Sequence, residues 1–142
     1  MKKGTLKKAL SAGMLGLVLL GMGRTVVKAD IDLDPFDFSF WGEYEQDVQY
    51  SNWQWKDDDS SSYIYYIRGD APIYMSIIAY DDNLGYIEDI RTQVKRYEPG
   101  MNGEIYNWVN ENGYSKAVLK GESSPDYNYY GSGVWAADTV DD

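Results

Sequence analysis

The sequence predicts an all-β protein, a single antiparallel β-sandwich or small barrel of about seven or eight strands, preceded by a cleaved signal peptide. Three observations lead to this prediction. Beyond residue 30, apolar and polar residues alternate with a period of two, which is the period of a β-strand. The same part of the chain holds all 3 Phe, 5 Trp and 14 Tyr, residue types that suit half-buried sheets. Turn-forming residues recur about every ten positions, as they do between the short strands of a sandwich.

Residues 1–29 are predicted to be the signal peptide. Four lysines lie within the first eight residues, and the following stretch, 9–23, is uncharged and mostly apolar. This stretch is shorter than the ~20 apolar residues that a membrane span needs. Val27 and Ala29 occupy the −3 and −1 positions of a signal peptidase site, so we expect cleavage between Ala29 and Asp30. The alternatives are a buried N-terminal helix and an uncleaved anchor.

The segment 30–142 is predicted to be one secreted β domain, because its length suits a single domain and no internal repeat divides it. The paired lysines of the signal are typical of Gram-positive bacteria. No cysteine follows the apolar stretch and no hydrophobic tail ends the sequence. We therefore expect an extracellular protein, released or loosely wall-associated, with no stable membrane anchor after signal cleavage.

The composition excludes several functions. The chain has no histidine and no cysteine, which removes the commonest general base, thiolate nucleophiles, Cys-ligated metals and disulfides. Six of the 13 basic residues fall within 1–29, which leaves 7 against 23 acids in 30–142, a net charge of −16. Because Lys and Arg carry binding to phosphates and to anionic lipid surfaces, nucleic acid is not an expected partner.

The first predicted strands are aromatic. Phe36, Phe38 and Phe40 alternate with polar residues, so they are expected to share one face of a strand. In the segment 50–56, Trp53 and Trp55 share a face by the same alternation. The opposite face of that segment holds Asn52, Gln54 and Lys56.

Two interior strands follow. The segment 63–68 is apolar on both faces, as an interior strand is, and 73–80 has the clearest alternation in the chain. Its inward residues are predicted to be Ile73, Met75, Ile77 and Ala79, and its outward residues Tyr74, Ser76 and Tyr80. Turns are predicted at 57–62, 69–72 and 81–85, which are rich in Asp, Ser, Gly and Pro.

The second half is less regular. In the segment 86–96, Ile87, Ile90 and Val94 are spaced by three and four, which allows a short helix, but we predict an irregular segment followed by a strand. A loop is predicted at 98–103. The segments 104–109 and 114–120 flank an Asn-Gly pair, which predicts an antiparallel hairpin. A last strand with a glycine bend is predicted within 127–136.

Two motifs in this half carry a resemblance to a known family. Residues 112–119 have the pattern NG-Y-x-x-A-x-L, and residues 132–138 have the pattern S-G-x-W-x-x-D. Together with the Lys/Asp/Ser-rich turn at 56–62, they resemble a family of small secreted Gram-positive proteins known only as a domain of unknown function. The resemblance covers 56–62 and 107–138. It implies an extracytoplasmic, all-β domain and implies no activity.

A second resemblance is to the lactococcin-972-like secreted bacteriocins. These are small and free of cysteine, and they end in an aromatic, Gly/Ser-rich β segment, as this chain does. They are basic and contain histidine, whereas this chain is acidic and contains none. The likeness implies an alternative function as a secreted bacteriocin-like toxin.

Candidate site residues are few. Two acidic turns are weak calcium candidates, since a hard cation would bridge them if they lay at one end of the sandwich, although such runs more often solvate a loop. Their residues are Asp57, Asp58, Asp59, Asp81 and Asp82. The rings of Trp53 and Trp55 are a weak ligand candidate as a platform for a sugar, unless they belong to the core or to a half-covered second face.

The carboxylate pairs Glu43/Glu45 and Glu88/Asp89 are the candidates for catalysis, but 23 acids produce such pairs by chance. Glycoside hydrolysis by two carboxylates also needs a deep cleft, which a small sandwich rarely has. We therefore predict a non-enzymatic protein with no cofactor and no resident metal. Its expected role is that of a binding or accessory protein at or near the Gram-positive cell surface, with an unknown protein or cell-wall ligand.

Overall fold

In the computed structural model, which describes residues 32–42, 47–123 and 127–139, the chain forms ten β-strands. They are β1 (Asp34–Phe40), β2 (Val48–Tyr50), β3 (Gln54–Trp55), β4 (Ser62–Gly69), β5 (Ile73–Asp81), β6 (Gly85–Ile87), β7 (Val94–Tyr97), β8 (Asn102–Ile105), β9 (Lys116–Ser123) and β10 (Tyr129–Ala136). These residues contain no helix, so the all-β prediction is confirmed. Among the described residues there is accordingly no helix long and apolar enough to span a membrane. The signal sequence, with its cleavage site between Ala29 and Asp30, lies outside the described residues.

The strands form two antiparallel sheets, curled in the manner of a half-barrel. The four-stranded sheet has the order β1-β10-β4-β8. The six-stranded sheet has the order β2-β9-β5-β6, with β3 added to β9 and β7 added to β5. The inner faces of both sheets contribute to one apolar cluster. The core therefore lies between the sheets.

The strand number exceeds the predicted seven or eight because two predicted strands are each divided. The segment 50–56 is split into β2 and β3, which pair in succession with the same neighbour, β9. The segment 86–96 is split into β6 and β7, which pair in succession with β5. The residues between β6 and β7 form no strand and β7 follows them, as predicted, but the start of the segment, predicted to be irregular, is the strand β6. Strands of two to four residues are too short to show a period of their own.

The aromatic strand β1 supplies one wall of the core. Phe36, Phe38 and Phe40 are all buried, at 3%, 1% and 2% exposure, so their predicted shared face is confirmed. The phenylalanine rings fill the space next to the neighbouring strands, which leaves no room for a Cβ at some positions of those strands. A Cβ on Gly121 would lie 2.5 Å from the ring of Phe38, and a Cβ on Gly133 would lie 2.0 Å from the carbonyl oxygen of Tyr65. Glycine at these positions lets the sheets and strands approach closely.

The predicted faces of β5 are confirmed. Its four inward residues are fully buried, and Tyr74 is exposed on the other side. Ser76 and Ile78, which also point outward, are nevertheless only 3% and 1% exposed. The outer face of the six-stranded sheet is thus covered by a second layer of side chains. β4, predicted to be an interior strand, lies between β10 and β8.

The predicted hairpin between 104–109 and 114–120 is wrong. β8 pairs with β4 in one sheet, whereas β9 pairs with β5, β2 and β3 in the other. The Asn-Gly turn is present, with Gly113 at φ 88°, but it lies in a connection between sheets. Both edges of β9 are paired, with β5 on one side and with β2 and β3 on the other, so no edge is left for the segment 104–109. Ile105, Asn107 and Val109 of that segment are buried instead. The predicted loop at 98–103 is also shorter, since β8 begins at Asn102.

Candidate functional site

The tryptophans of the segment 50–56 point away from the core. Trp53 and Trp55 are partly buried on the outer face of the six-stranded sheet, and Trp55 lies opposite Lys116 in the register. Gln54 and Lys56, on the opposite face, are buried at 4% and 1% exposure. The alternation therefore predicted which residues share a face. The polar side chains of Gln54 and Lys56 point into the interior, and the two tryptophan rings lie on the solvent side.

The outer face of the six-stranded sheet carries a continuous layer of rings and cations, which we call the aromatic face. Side chains opposite one another in an antiparallel pair lie on the same side of the sheet. The register places Tyr50 opposite Lys120 and Tyr80 opposite Tyr86. The aromatic face comprises Tyr50, Trp53, Trp55, Tyr74, Tyr80, Tyr86, Lys116 and Lys120.

The layer is held together by a ring stack that spans the sheet. Tyr50 on β2 and Tyr86 on β6 stand at opposite ends of the strand order, yet their ring centroids are 3.9 Å apart with an interplanar angle of 11°. Tyr80 meets Tyr86 edge-on at 5.5 Å. The two stacked rings must lie across the intervening β5 and β9, where Ile78 and Val118 are each only 1% exposed. The rings thus shield a second, thin apolar layer.

Glu88 fixes one end of this stack. The hydroxyl of Tyr50 donates to Glu88 Oε2 at 2.7 Å, and Lys120 Nζ donates to Glu88 Oε1. The hydrogen bond from Lys120, and then that from Tyr50, lower the pKa of the Glu88 carboxyl. Burial and the neighbouring carboxylate raise the pKa of Tyr50. Glu88 is therefore committed to holding the layer in place, while its predicted pair partner Asp89 is exposed.

The tryptophans form the other end of the aromatic face. Trp53 and Trp55 meet edge-to-face with centroids 5.0 Å apart. Lys116 Nζ lies 4.3 Å from the Trp53 centroid and 5.2 Å from that of Trp55, and it also donates to Asp82 Oδ1 at 2.6 Å. Beside this corner lies a shallow depression of about 190 Å³. Its lining is Tyr80, Asp81, Asp82, Asn83, Gly113, Tyr114, Ser115 and Lys116.

The acidic turn after β5 is built by hydrogen bonds within it and by one cation. Asp81 Oδ1 accepts the backbone N–H groups of Asn83 and Leu84, at 2.8 and 3.0 Å. Asp82 pairs with Lys116. These bonds shape the turn between β5 and β6.

The other acidic turn, between β3 and β4, is organised around different partners. Asp58 accepts the backbone N–H and the hydroxyl of Ser60, whereas Asp57 and Asp59 are exposed. Within the described ranges, no three acidic side chains lie close enough together to hold a metal ion. The predicted calcium candidates are therefore not brought into one cation site there.

A buried lysine anchors that second turn to the end of the chain. Lys56 Nζ donates to the carbonyl oxygens of Asp58 and Ser60 at 2.7 and 2.6 Å, and to Asp138 Oδ1 at 2.5 Å. The other carboxylate oxygen of Asp138 accepts the backbone N–H of Asp57 at 2.8 Å. The side chains of Lys56 and Asp138 are 0% and 10% exposed. Burial raises the pKa of Asp138 to about 6, against the lowering effect of Lys56.

Three further buried polar side chains, next to Lys56 and Asp138, form hydrogen bonds that connect the two sheets. Gln54 donates to the carbonyl of Trp135 and accepts the N–H of Ala137, at 3.0 and 2.8 Å. Asn107 donates to the hydroxyl of Ser62, which in turn donates to the carbonyl of Ala137. We call this set the polar clasp; it comprises Gln54, Lys56, Ser62, Asn107 and Asp138. It ties the end of β10 to the start of β4 and to the segment that precedes β9.

The comparison with protein families identifies the chain's relatives. The model of a protein family of unknown function, DUF2712, matches residues 25–139. The chain belongs to this family. The resemblance to a domain of unknown function is therefore confirmed, while the likeness to bacteriocins stays a prediction. No curated protein and no solved structure matches the chain.

The two sequence motifs that carried this family resemblance have structural roles. In the first, Ala117 and Leu119 are fully buried on the inner face of β9. In the second, Gly133 admits close approach to Tyr65, Trp135 is fully buried, and Asp138 belongs to the polar clasp. The family motifs therefore specify the core and the clasp rather than the aromatic face.

Several members of the aromatic face were not singled out from the sequence. Lys116 and Lys120 alternate with the buried Ala117 and Leu119, so their outward direction could have been derived from the period of two. The neighbouring rings of Tyr50 and Tyr86 could not have been placed in this way. Their strands, β2 and β6, are too short to reveal from the sequence that they flank β9 and β5. The pair Glu43/Glu45 lies outside the described residues.

Proposed function

We propose that the protein is a secreted, non-enzymatic binding protein that acts at or near the surface of a Gram-positive cell, and that the aromatic face contacts its ligand. In this proposal the signal peptide is cleaved after Ala29, and 30–142 forms a single β-sandwich. The observation that supports it most is the accessibility of the aromatic face. Tyr74 and Tyr86 are 38% and 45% exposed on the same side of the sheet as the partly buried Trp53 and Trp55.

The shape of this surface favours an extended ligand. The depression beside the tryptophans, at about 190 Å³, is smaller than the ~300–1,000 Å³ of typical small-molecule pockets. Rigid, amphipathic rings held on a sheet provide contact area at low entropic cost. A polymer lying across the sheet would meet the rings of Tyr74 and Tyr86 and the polar groups around Lys116.

The charge of the protein limits the chemistry of that ligand. Residues 30–142 carry a net charge of −16, which repels polyanions such as teichoic acids. Sugar rings can pack their C–H faces on Trp and Tyr, and sugar hydroxyls can bond to Asp82, Asn83 and Lys116, which line the depression. We therefore propose that the ligand is a neutral or basic cell-wall polymer, with the glycan and peptide of peptidoglycan as the leading class.

Co-sedimentation with insoluble peptidoglycan, stripped of teichoic acid, tests this proposal. The purified chain is expected to sediment with the wall material, and the Tyr74→Ala and Tyr86→Ala variants are expected to sediment at least several-fold less. Tyr130→Ala is the matched control, because Tyr130 is 53% exposed but lies on the other sheet, opposite Ser39 of β1. Its sedimentation should equal that of the wild type.

Three outcomes would overturn the proposal. The first is a wild-type chain that stays in solution with peptidoglycan, and the second is an equal loss of binding in the Tyr130→Ala control. The third is growth inhibition of related strains by the purified protein, which would favour the bacteriocin-like toxin.

A further inference from the structure

The polar clasp contains a lysine and an aspartate in position to react with each other. Lys56 Nζ lies 2.5 Å from Asp138 Oδ1, and the two side chains are 0% and 10% exposed. They come from distant parts of the chain, the turn between β3 and β4 and the residue that follows the last strand by two positions. We propose that Lys56 and Asp138 condense to form an intramolecular isopeptide bond that covalently closes the clasp.

The hydrogen bonds of Lys56 orient its nitrogen for this reaction. Two of its three N–H groups are held by the carbonyl oxygens of Asp58 and Ser60. The third is directed at the carboxyl group of Asp138. When that third proton leaves, the lone pair takes its place and points at the carboxyl group. A nucleophile and an acyl group held in contact in this way avoid most of the entropic cost of a bimolecular encounter.

The surroundings make the neutral carboxylic acid of Asp138 easier to reach than it is in water. Removal from water disfavours a carboxylate, and the neutral acid is the form that an amine attacks. The raised pKa of Asp138 has this cause. Asp58 is placed to move the protons, because its carboxylate lies 3.8 Å from Lys56 Nζ and close enough to Asp138 to raise the pKa of that carboxyl. The backbone N–H of Asp57, bound to Asp138 Oδ2, would stabilise an oxyanion at that atom.

The reaction balances without an added reagent. The Nζ lone pair attacks Cγ of Asp138, and the negative charge that develops on Oδ2 is stabilised by the N–H of Asp57. Asp58 accepts a proton from the nitrogen and delivers it to Oδ1. The Cγ–Oδ1 bond then breaks, and that oxygen leaves as water with both protons that the ammonium group has lost. The products are one amide, which keeps one hydrogen on the nitrogen, and one water molecule.

Intact mass spectrometry of the full chain under denaturing conditions tests the proposal. The wild type is expected to be lighter than its sequence by the mass of one water molecule. After tryptic digestion, the chain should remain uncut at Lys56, and the peptide through Arg68 should be joined to the C-terminal peptide 121–142. A folded wild-type chain with the unmodified mass after prolonged incubation, or a link between other residues, would overturn the proposal.

Three variants separate the roles of the residues. Lys56→Arg keeps a cation in the clasp but cannot form the bond, so it should retain its full mass. Asp138→Asn should still link, now with loss of one ammonia. Asp58→Asn preserves an acceptor for Ser60 but cannot carry the proton, so the linked fraction should fall at least tenfold while the fold persists by NMR. Equal linkage in Asp58→Asn and the wild type would contradict the role of Asp58 in proton transfer.

Discussion

The polar clasp and the aromatic face both contain lysine–carboxylate pairs, but the pairs differ in exposure. The side chains of Lys56 and Asp138 are 0% and 10% exposed, whereas those of Lys116 and Asp82 are 13% and 68% exposed. An ion pair in water contributes little because solvent screens it. A buried charge that loses its partner is strongly destabilising. The comparison teaches that the same pair of residue types is a structural requirement at one site and an adjustable surface feature at the other.

Replacing the clasp lysine should have the largest effect. Compared with Lys56→Arg, which keeps the cation and cannot form the isopeptide bond, Lys56→Met leaves the buried Asp138 carboxyl without its cation, so we expect a loss of about 3–5 kcal/mol in the free energy of unfolding. Lys116→Met is the comparison, because it removes a pair whose aspartate is 68% exposed together with the cation over the Trp53 and Trp55 rings. It should cost no more than about 2 kcal/mol. Urea denaturation followed by tryptophan fluorescence measures both.

The double variant Lys56→Met/Asp138→Leu tests the reason for that loss. If the loss comes from an unpaired buried charge, removing the aspartate as well should restore part of the stability. A double variant less stable than Lys56→Met would contradict this explanation.

A neutral member of the clasp should have an intermediate effect. Ser62→Ala leaves both the amide of Asn107 and the carbonyl of Ala137 without their buried hydrogen-bond partner. We expect destabilisation by about 1–3 kcal/mol. Ser115→Ala, at an exposed position, should change the stability by less than ~0.5 kcal/mol. Equal effects in thermal denaturation would mean that burial does not distinguish the two sites.

On the aromatic face, the ring stack should contribute less than the clasp. Tyr86→Ala removes the stack on Tyr50 and the edge contact with Tyr80. Such ring pairs contribute about 0.5–1.5 kcal/mol, and the loss of stability should fall in this range. Tyr86→Phe keeps the ring and should therefore retain most of the wild-type stability. A loss as large as that of Lys56→Met would show that the outer layer is as important to the fold as the clasp.

The smallest effect is expected from Glu88, and it should depend on pH. Its folded-state pKa is lowered by Lys120 and Tyr50, so its contribution is present above the unfolded pKa and lost as pH falls through the folded value. At neutral pH, Glu88→Gln should reduce the stability by less than ~1 kcal/mol, because the carboxylate is substantially exposed. The difference from wild type should shrink as pH falls below the unfolded pKa and vanish once pH is below the lowered folded pKa. A difference that grows in acid would contradict this linkage.

The sequence predicted the long strands well because their period is visible over seven or more residues. The buried rings of β1 and the two faces of β5 followed from alternation alone. The Asn-Gly turn was located correctly, but the pairing around it was not. A turn motif reports local backbone geometry, whereas the choice of partner for β9 depends on which strands already occupy its edges.

The candidate site was predictable only in part, for a related reason. Trp53 and Trp55 were identified as a possible ligand platform, and they do lie on an outer face. Lys56 was assigned to a polar face that would ordinarily be solvated, yet it is buried by contact with Asp138, 82 residues further along the chain. Alternation gives the relative direction of neighbouring side chains. It contains no information about a partner so distant in sequence.

The position of β10 has a consequence for how the chain folds. This last strand lies between β1 and β4, and it pairs with the first strand along its whole length, from Asp34 opposite Trp135 to Phe40 opposite Tyr129. A chain that emerges from the ribosome with its N-terminus first cannot complete the four-stranded sheet until its final residues are available. Contacts of such large sequence separation make folding slow. The four-stranded sheet is thus completed only after synthesis of the last strand, whereas every strand of the six-stranded sheet is synthesised before it.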